Sequence, residues 1–210
     1  MIQKAIHAHT ILAWSELEEV PGCNKDDEAF VREKNIHHPL KQKQFYAGRR
    51  LLRSLVGAEA VINYDQYGGP IVANKRNAEV SLSHSANMVA CAYSDIAIGI
   101  DIQQADEKFE RVKFRFMSSD ELSESEKTDC ADYVQFCWSA KEAMFKAFRK
   151  GNINFRQQLM PNIPLDELDL DEFESTGHLI IGNKLIAMRL NYYKHDSYTI
   201  VSASFDASKY

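Results

Sequence analysis

Trp138-Ser139-Ala140-Lys141-Glu142-Ala143-Met144-Phe145-Lys146 is the stretch on which the reading of the whole chain turns. Ala, Met, Lys and Glu favour helix, and no Gly or Pro interrupts the run before Gly151, which reads as its C-terminal stop. Phe136, Ala140, Ala143, Met144, Ala147 and Phe148 recur at three- and four-residue spacings and make one apolar face. Glu142 and Lys146 stand one turn apart on a single stripe, which Lys141 shares only in part. Taken alone, the stripe reads in two ways. It is a surface ion pair on an amphipathic helix, or it is a carboxylate for a metal flanked by ammonium groups for phosphates.

Outward from this helix, Ala97-Ile-Gly-Ile-Asp-Ile102 reads as a strand, with Asp101 on the opposite face from Ile100 and Ile102. Before it, Val80-Ser-Leu-Ser83 runs through His84-Ser-Ala-Asn87 into Met88-Val-Ala-Cys-Ala-Tyr93, two strands around a tight connection. Hydroxyls, an imidazole and free N–H groups at such a strand end suit a phosphate, although serine-rich turns are common. Tyr67-Gly-Gly-Pro70 is a glycine turn. A helix starts at Pro39, buries Leu40, Ala47, Leu51 and Leu55, and stops at Gly57. An earlier helix, capped by Asp26 or Asp27, runs to about residue 35. Residues 1–14 read as one strand, and Pro21-Gly22 as a turn. Residues 185–192 and 198–205 form the last two strands, around a polar turn.

Composition narrows the function classes. The 210 residues carry a net charge of −5, which argues against nucleic-acid binding. No apolar run approaches the ~18 residues that span a membrane, and no signal-peptide pattern opens the chain, so a cytoplasmic protein without membrane attachment is expected. The four cysteines, Cys23, Cys91, Cys130 and Cys137, lack metal-site spacing and read as free thiols. Charge is unevenly spread. Residues 39–53 hold Lys41, Lys43, Arg49, Arg50 and Arg53 without an acid, which reads either as a solvated face or as an anion site, whereas residues 164–174 are acidic.

The two halves echo each other. Each has a helix stopped by glycine, an extended piece (Ile62/Tyr64 and Ile153/Phe155) and two strands around a polar turn. The expected fold is α+β, a duplicated unit forming two pseudo-symmetric subdomains, 1–102 and 103–210, with the active site at their seam. One chain would then complete the site as a monomer.

Ser83-His84, then Gly99-Ile-Asp101-Ile-Gln103, then Trp138-Ser-Ala-Lys-Glu142-Ala-Met-Phe-Lys146, in this order, resemble the motifs of the larger, surfactin-synthetase-activating type of 4′-phosphopantetheinyl transferase. Gly48-Arg49-Arg-Leu-Leu-Arg53 and Gly68-Gly69-Pro70 resemble that family's first helix and glycine turn. The resemblance implies transfer of the phosphopantetheine arm of coenzyme A to a serine of an apo acyl or peptidyl carrier protein, with release of adenosine 3′,5′-bisphosphate. It implies Mg²⁺ on Asp101, Glu142 and Gln103, with Glu142 as the proton acceptor. Lys146 and Lys141 would neutralise the phosphates, while Arg49 and His84 would meet the 3′-phosphate end. Ser83 and the turn Gly68-Gly69-Pro70 complete the coenzyme A site. The mixed segment 108–117, with bases among phenylalanines, would dock the acidic carrier.

Two positions depart from the family pattern. Gln103 stands where many relatives have Glu, and Gly69 stands where the turn often has Lys. Either that phosphate contact is missing, or Lys75 or Lys41 supplies it. Other readings stay open: a non-catalytic relative that binds coenzyme A or a carrier, and a structural α+β protein whose Lys/Glu helix is merely solvated.

Overall fold

The computed structural model describes residues 1–7, 9–17, 25–128, 130 and 132–210. Pro21-Gly22 and Cys23 lie outside the described residues. The chain is α+β and divides into two compact units, Met1–Asp95 and Ile96–Tyr210. The strand read at 97–102, expected at the end of the first subdomain, thus belongs to the second unit. It does so because its whole length pairs with the chain's last strand.

In the first unit, β1 (Ile2–His7) and β2 (Thr10–Glu16) form a hairpin where a single strand was expected. His9, at φ 69°, turns the backbone between them. Helices α1 (Lys25–Glu33) and α2 (Pro39–Val56) follow. Pro39 opens α2, where its missing N–H costs no helical bond, and Gly57 closes it at φ 116° with its N–H on the Arg53 carbonyl. A short ribbon, β3 (Ile62–Tyr64) and β4 (Pro70–Val72), precedes the β5 (Glu79–Ser85) and β6 (Met88–Ser94) hairpin. The sheet order is β1-β2-β6-β5, all antiparallel. Its core joins Ala47, Leu51 and Leu52 of α2 to Val80, Val89 and Cys91.

The second unit opens with β7 (Ala97–Gln104), α3 (Lys108–Val112), a 3-10 turn at 113–115, and α4 (Ser119–Lys127). Ser118 caps α4 in a reciprocal box with Glu121. Helix α5 (Tyr133–Phe148) carries the organising motif, followed by α6 (Phe155–Gln158) and β8 (Leu159–Pro161). Three long strands finish the chain: β9 (Glu172–Ile181), β10 (Lys184–His195) and β11 (Tyr198–Phe205). The order is β7-β11-β10-β9-β8, again antiparallel. Helix α5 ends at Arg149, which takes the left-handed conformation (φ 56°) and donates to the Phe145 carbonyl; Gly151, the expected stop, lies beyond.

One pattern recurs in both units. A strand (β2, β7) leads through a long helix (α2, α5) to a hairpin (β5-β6, β10-β11), whose second strand returns beside the first. Both long helices lie on their own sheet, α2 against β6 and α5 against β7 and β11.

Candidate active site

Everything at this site depends on how closely α5 approaches β7. The β7 residue that faces the helix is Gly99; a Cβ there would collide with the Ala143 carbonyl oxygen and fall 2.5 Å from the Ala147 amide nitrogen. Glycine therefore lets helix backbone rest on strand backbone. Gln135, in the first turn of α5, ties the far end of the strand, donating to the Gln103 carbonyl at 3.2 Å and the Thr199 hydroxyl at 3.0 Å. Ile98, Ile100 and Ile102 alternate to the other face and are fully buried.

Asp101 consequently points at α5. Its side chain is 1% exposed, and its Oδ1 accepts from Lys146 Nζ at 2.7 Å. The Gln103 amide donates to Oδ2 at 3.2 Å. Glu142, one turn before Lys146, is half-buried. Its carboxyl is pushed above the ordinary range, first by burial and also by the Asp101 charge, against the opposing pull of Lys146. Asp101, Gln103, Glu142 and Lys146 thus form one cluster within the second unit. Two carboxylates and an amide oxygen are hard donors of the kind Mg²⁺ takes, and among the described residues no third His, Cys, Asp or Glu completes a larger metal cluster.

Lys141 does not join them. It is fully buried, and Nζ meets the Phe155 and Leu159 carbonyls and a Glu121 carboxylate oxygen, each at 2.8 Å. Its three donors are spent inside the fold, so the expected phosphate contact is corrected to an anchoring one. The same Glu121 oxygen accepts from Ser118 N–H at 2.7 Å, which links the α4 cap to α5. Burial holds the Lys141 pKa below the usual lysine range despite the Glu121 charge.

Arg49 also differs from its expected role. It is 3% exposed, with Nε on Asp27 Oδ1 at 2.6 Å and Nη2 on the Ile62 carbonyl at 2.9 Å. Phe30, Phe45 and Tyr64 surround its guanidinium at 5.2–5.8 Å. Arg53 binds the other oxygen of Asp27 at 2.6 Å. The anion for these two arginines of the basic run is therefore an internal one, supplied by α1. Gly68 and Gly69 sit in a turn held by Asp65 Oδ1, which accepts from Tyr67 and Gly69 N–H at 2.8 Å each. Ser83 is buried and His84 exposed near the end of β5.

Trp138 is half-buried among Phe109, Phe116 and Phe155, with ring centroids 5.0–6.0 Å away. Of segment 108–117, Phe109, Phe116 and Met117 belong to the core, while Phe114 is 62% exposed beside exposed Arg111 and Arg115. Gln135 and Glu121 were missed in the sequence. The spacing of Ser118 and Glu121 marks only a helix start, and nothing local announces the second partner of Glu121.

The strand-helix pairing and its polar cluster define a class. Residues 97–198 match the family model of the 4′-phosphopantetheinyl transferase superfamily. It is similar to the 4′-phosphopantetheinyl transferase Sfp of Bacillus subtilis (strain 168), with 29% identity over 150 residues, covering 62% of this chain and 67% of that protein. The 4′-phosphopantetheinyl transferase HetI of Nostoc sp. is 30% identical over 154 residues, covering 65% and 64%. The 4′-phosphopantetheinyl transferase ffp of Bacillus subtilis is 29% identical over 128 residues, and there the match spans 57% of the relative's length. Among the described residues no helix is long and apolar enough to cross a membrane.

Proposed function

We propose that this protein transfers the 4′-phosphopantetheine arm of coenzyme A to a serine hydroxyl of an apo acyl or peptidyl carrier protein, as a monomer in the cytoplasm. The observation that carries the reading is the convergence of Asp101, Glu142 and Lys146, inside the segment that matches the superfamily. In the reaction, the serine oxygen bonds to the β-phosphorus of coenzyme A and the bond to the bridging oxygen breaks. The serine proton goes to Glu142, and adenosine 3′,5′-bisphosphate leaves. A carboxyl held above its ordinary range by burial accepts that proton more readily at neutral pH. Lys146, partly exposed and one turn from Glu142, stabilises the charge on the leaving phosphate.

Mg²⁺ would be held by Asp101 and Glu142, with the amide oxygen of Gln103 or water beside them, and it would supply neutralisation of the diphosphate. Gln103 brings no charge, so the site carries two carboxylates, and its amide also holds Asp101 in place. Ser83, His84 and the turn Gly68-Gly69-Pro70 are assigned to coenzyme A. Exposed Phe114, Arg111 and Arg115 are assigned to the acidic carrier. The common strand-helix-hairpin order of the units supports a duplicated origin.

The test incubates the protein with coenzyme A, Mg²⁺ and a panel of apo carriers and follows carrier mass. Addition of one phosphopantetheine group to a carrier supports the reading. Coenzyme A binding without any mass gain would replace it with a non-catalytic binder.

A further inference from the structure

The two charged groups paired in the cluster differ in their exposure. Asp101 is sealed at 1% side-chain exposure, between Lys146 on Oδ1 and Gln103 on Oδ2. Lys146 is 26% exposed, and its four-carbon stem rises from the side of α5 that also carries Glu142. A cation approaching the pair Asp101/Glu142 therefore meets a carboxylate already holding a partly exposed ammonium. That ammonium leaves the two carboxylates with a net charge of one rather than two.

We propose that Lys146 is an exchangeable counter-ion of Asp101: it holds the carboxylate while no divalent cation is bound, and a divalent cation gains Asp101 only by displacing it. An anionic diphosphate beside the site gives the displaced ammonium a new partner. Cation and anion binding then strengthen each other, and by linkage they do so by the same factor. This inference rests on the reading of the site as a divalent-cation centre, but not on transfer activity.

The experiment uses the full chain and Mn²⁺ as the probe, titrated without coenzyme A and followed by electron paramagnetic resonance. Lys146→Met binds Mn²⁺ tighter than wild type by on the order of tenfold. Lys146→Arg, which keeps the charge, stays close to wild type, and Asp101→Asn abolishes the binding in every background. Equal or weaker binding by a folded Lys146→Met, with Asp101→Asn still abolishing it, overturns the counter-ion and leaves the metal reading standing. Absence of Mn²⁺ binding in all proteins overturns both. A gain in Lys146→Met that survives Asp101→Asn also overturns the proposal, because the competition then lies elsewhere. A second readout needs no variant: mild acetylation of the wild-type protein, mapped by mass spectrometry, becomes faster at Lys146 on adding Mn²⁺ while exposed Lys150 does not change. Unchanged reactivity of Lys146 overturns the exchange.

Discussion

Gly99→Ala is a one-carbon change aimed at the contact that positions the whole cluster. The added Cβ would strike the Ala143 carbonyl oxygen and lie 2.5 Å from the Ala147 nitrogen, and ordinary contact begins at 3.4 Å. Both obstacles are helix backbone, so no side chain can turn aside; the Ala147 nitrogen alone requires the strand and α5 to part by about 1 Å, and the nearer Ala143 oxygen requires more. Strand β7 cannot yield easily, because Gly99 is paired with Ala203 inside an eight-position register with β11. Overpacking of this kind costs about 1–3 kcal/mol, and backbone resistance places Gly99→Ala toward the upper end. For a chain of this size that is a loss of about 6–12 °C in melting temperature. The function suffers more than the fold. Separating β7 from α5 pulls Asp101 from Lys146, now 2.7 Å apart, and from Glu142, and a 1 Å misplacement costs about 10²-fold in rate. Circular-dichroism melting and carrier mass gain measure the two effects. A variant melting within about 1 °C of wild type and transferring at the wild-type rate would refute the close-approach argument.

Glu142→Gln should abolish transfer and leave the melting temperature nearly unchanged, since it removes a half-buried charge and no described hydrogen bond. In the wild type without divalent cations the Glu142 carboxyl should titrate above the ordinary glutamate value of about 4.3, because burial raises it, as followed by carbon-13 NMR of the labelled side chain; a value at or below that counts against the buried carboxyl on which the base assignment rests. Asp27→Asn leaves Arg49 and Arg53 buried without their anion and should cost about 3–5 kcal/mol, measured by denaturant unfolding. Burial alone would raise the Asp27 pKa, yet Arg53 and Arg49 bring it below the ordinary value. Its contribution is therefore fully present above the unfolded-chain pKa of about 3.9 and is lost as pH falls toward the folded one, so Asp27→Asn should flatten the acid end of the stability curve. Lys141→Met should also lose about 3–5 kcal/mol, because Glu121 and two carbonyls lose their donor, while the KM for coenzyme A stays unchanged; a raised KM at wild-type stability would return Lys141 to the phosphates.

Elements were legible where a local period announced them. The β5-β6 hairpin, the β7 strand and helix α5 follow from alternation or three-to-four spacing, and α2 from proline at its start and glycine at its end. Strand β9 is hidden in the sequence because its solvent face is acidic: Glu172 and Glu174 alternate with Phe173, and Gly177 leaves a gap in the apolar row. The break between β1 and β2 was hidden for a different reason. A histidine, not a glycine or an asparagine, takes the positive φ there, so no turn residue marks the corner. Arg49 was misread because its partner Asp27 comes from a different helix, and no local pattern pairs them.

The contrast between Lys141 and Lys146 shows what the motif encodes beyond its chemistry. On a helix of 3.6 residues per turn, five positions rotate a side chain by about 140°, so two lysines of one nine-residue motif cannot serve one site. Glu142 and Lys146, four apart, stay together on the side of α5 that meets Asp101. Lys141 is carried to the far side, where it binds α4 through Glu121 and the chain after α5 through the Phe155 and Leu159 carbonyls. Those three bonds, with Gln135 at the first turn and Gly99 under the middle, resist any roll of the helix about its axis. A roll would move Glu142 and Lys146 off Asp101 before it broke any of the sheet's hydrogen bonds. The buried lysine therefore fixes, from the opposite side of the helix, the rotation at which its neighbour, Glu142, faces the strand.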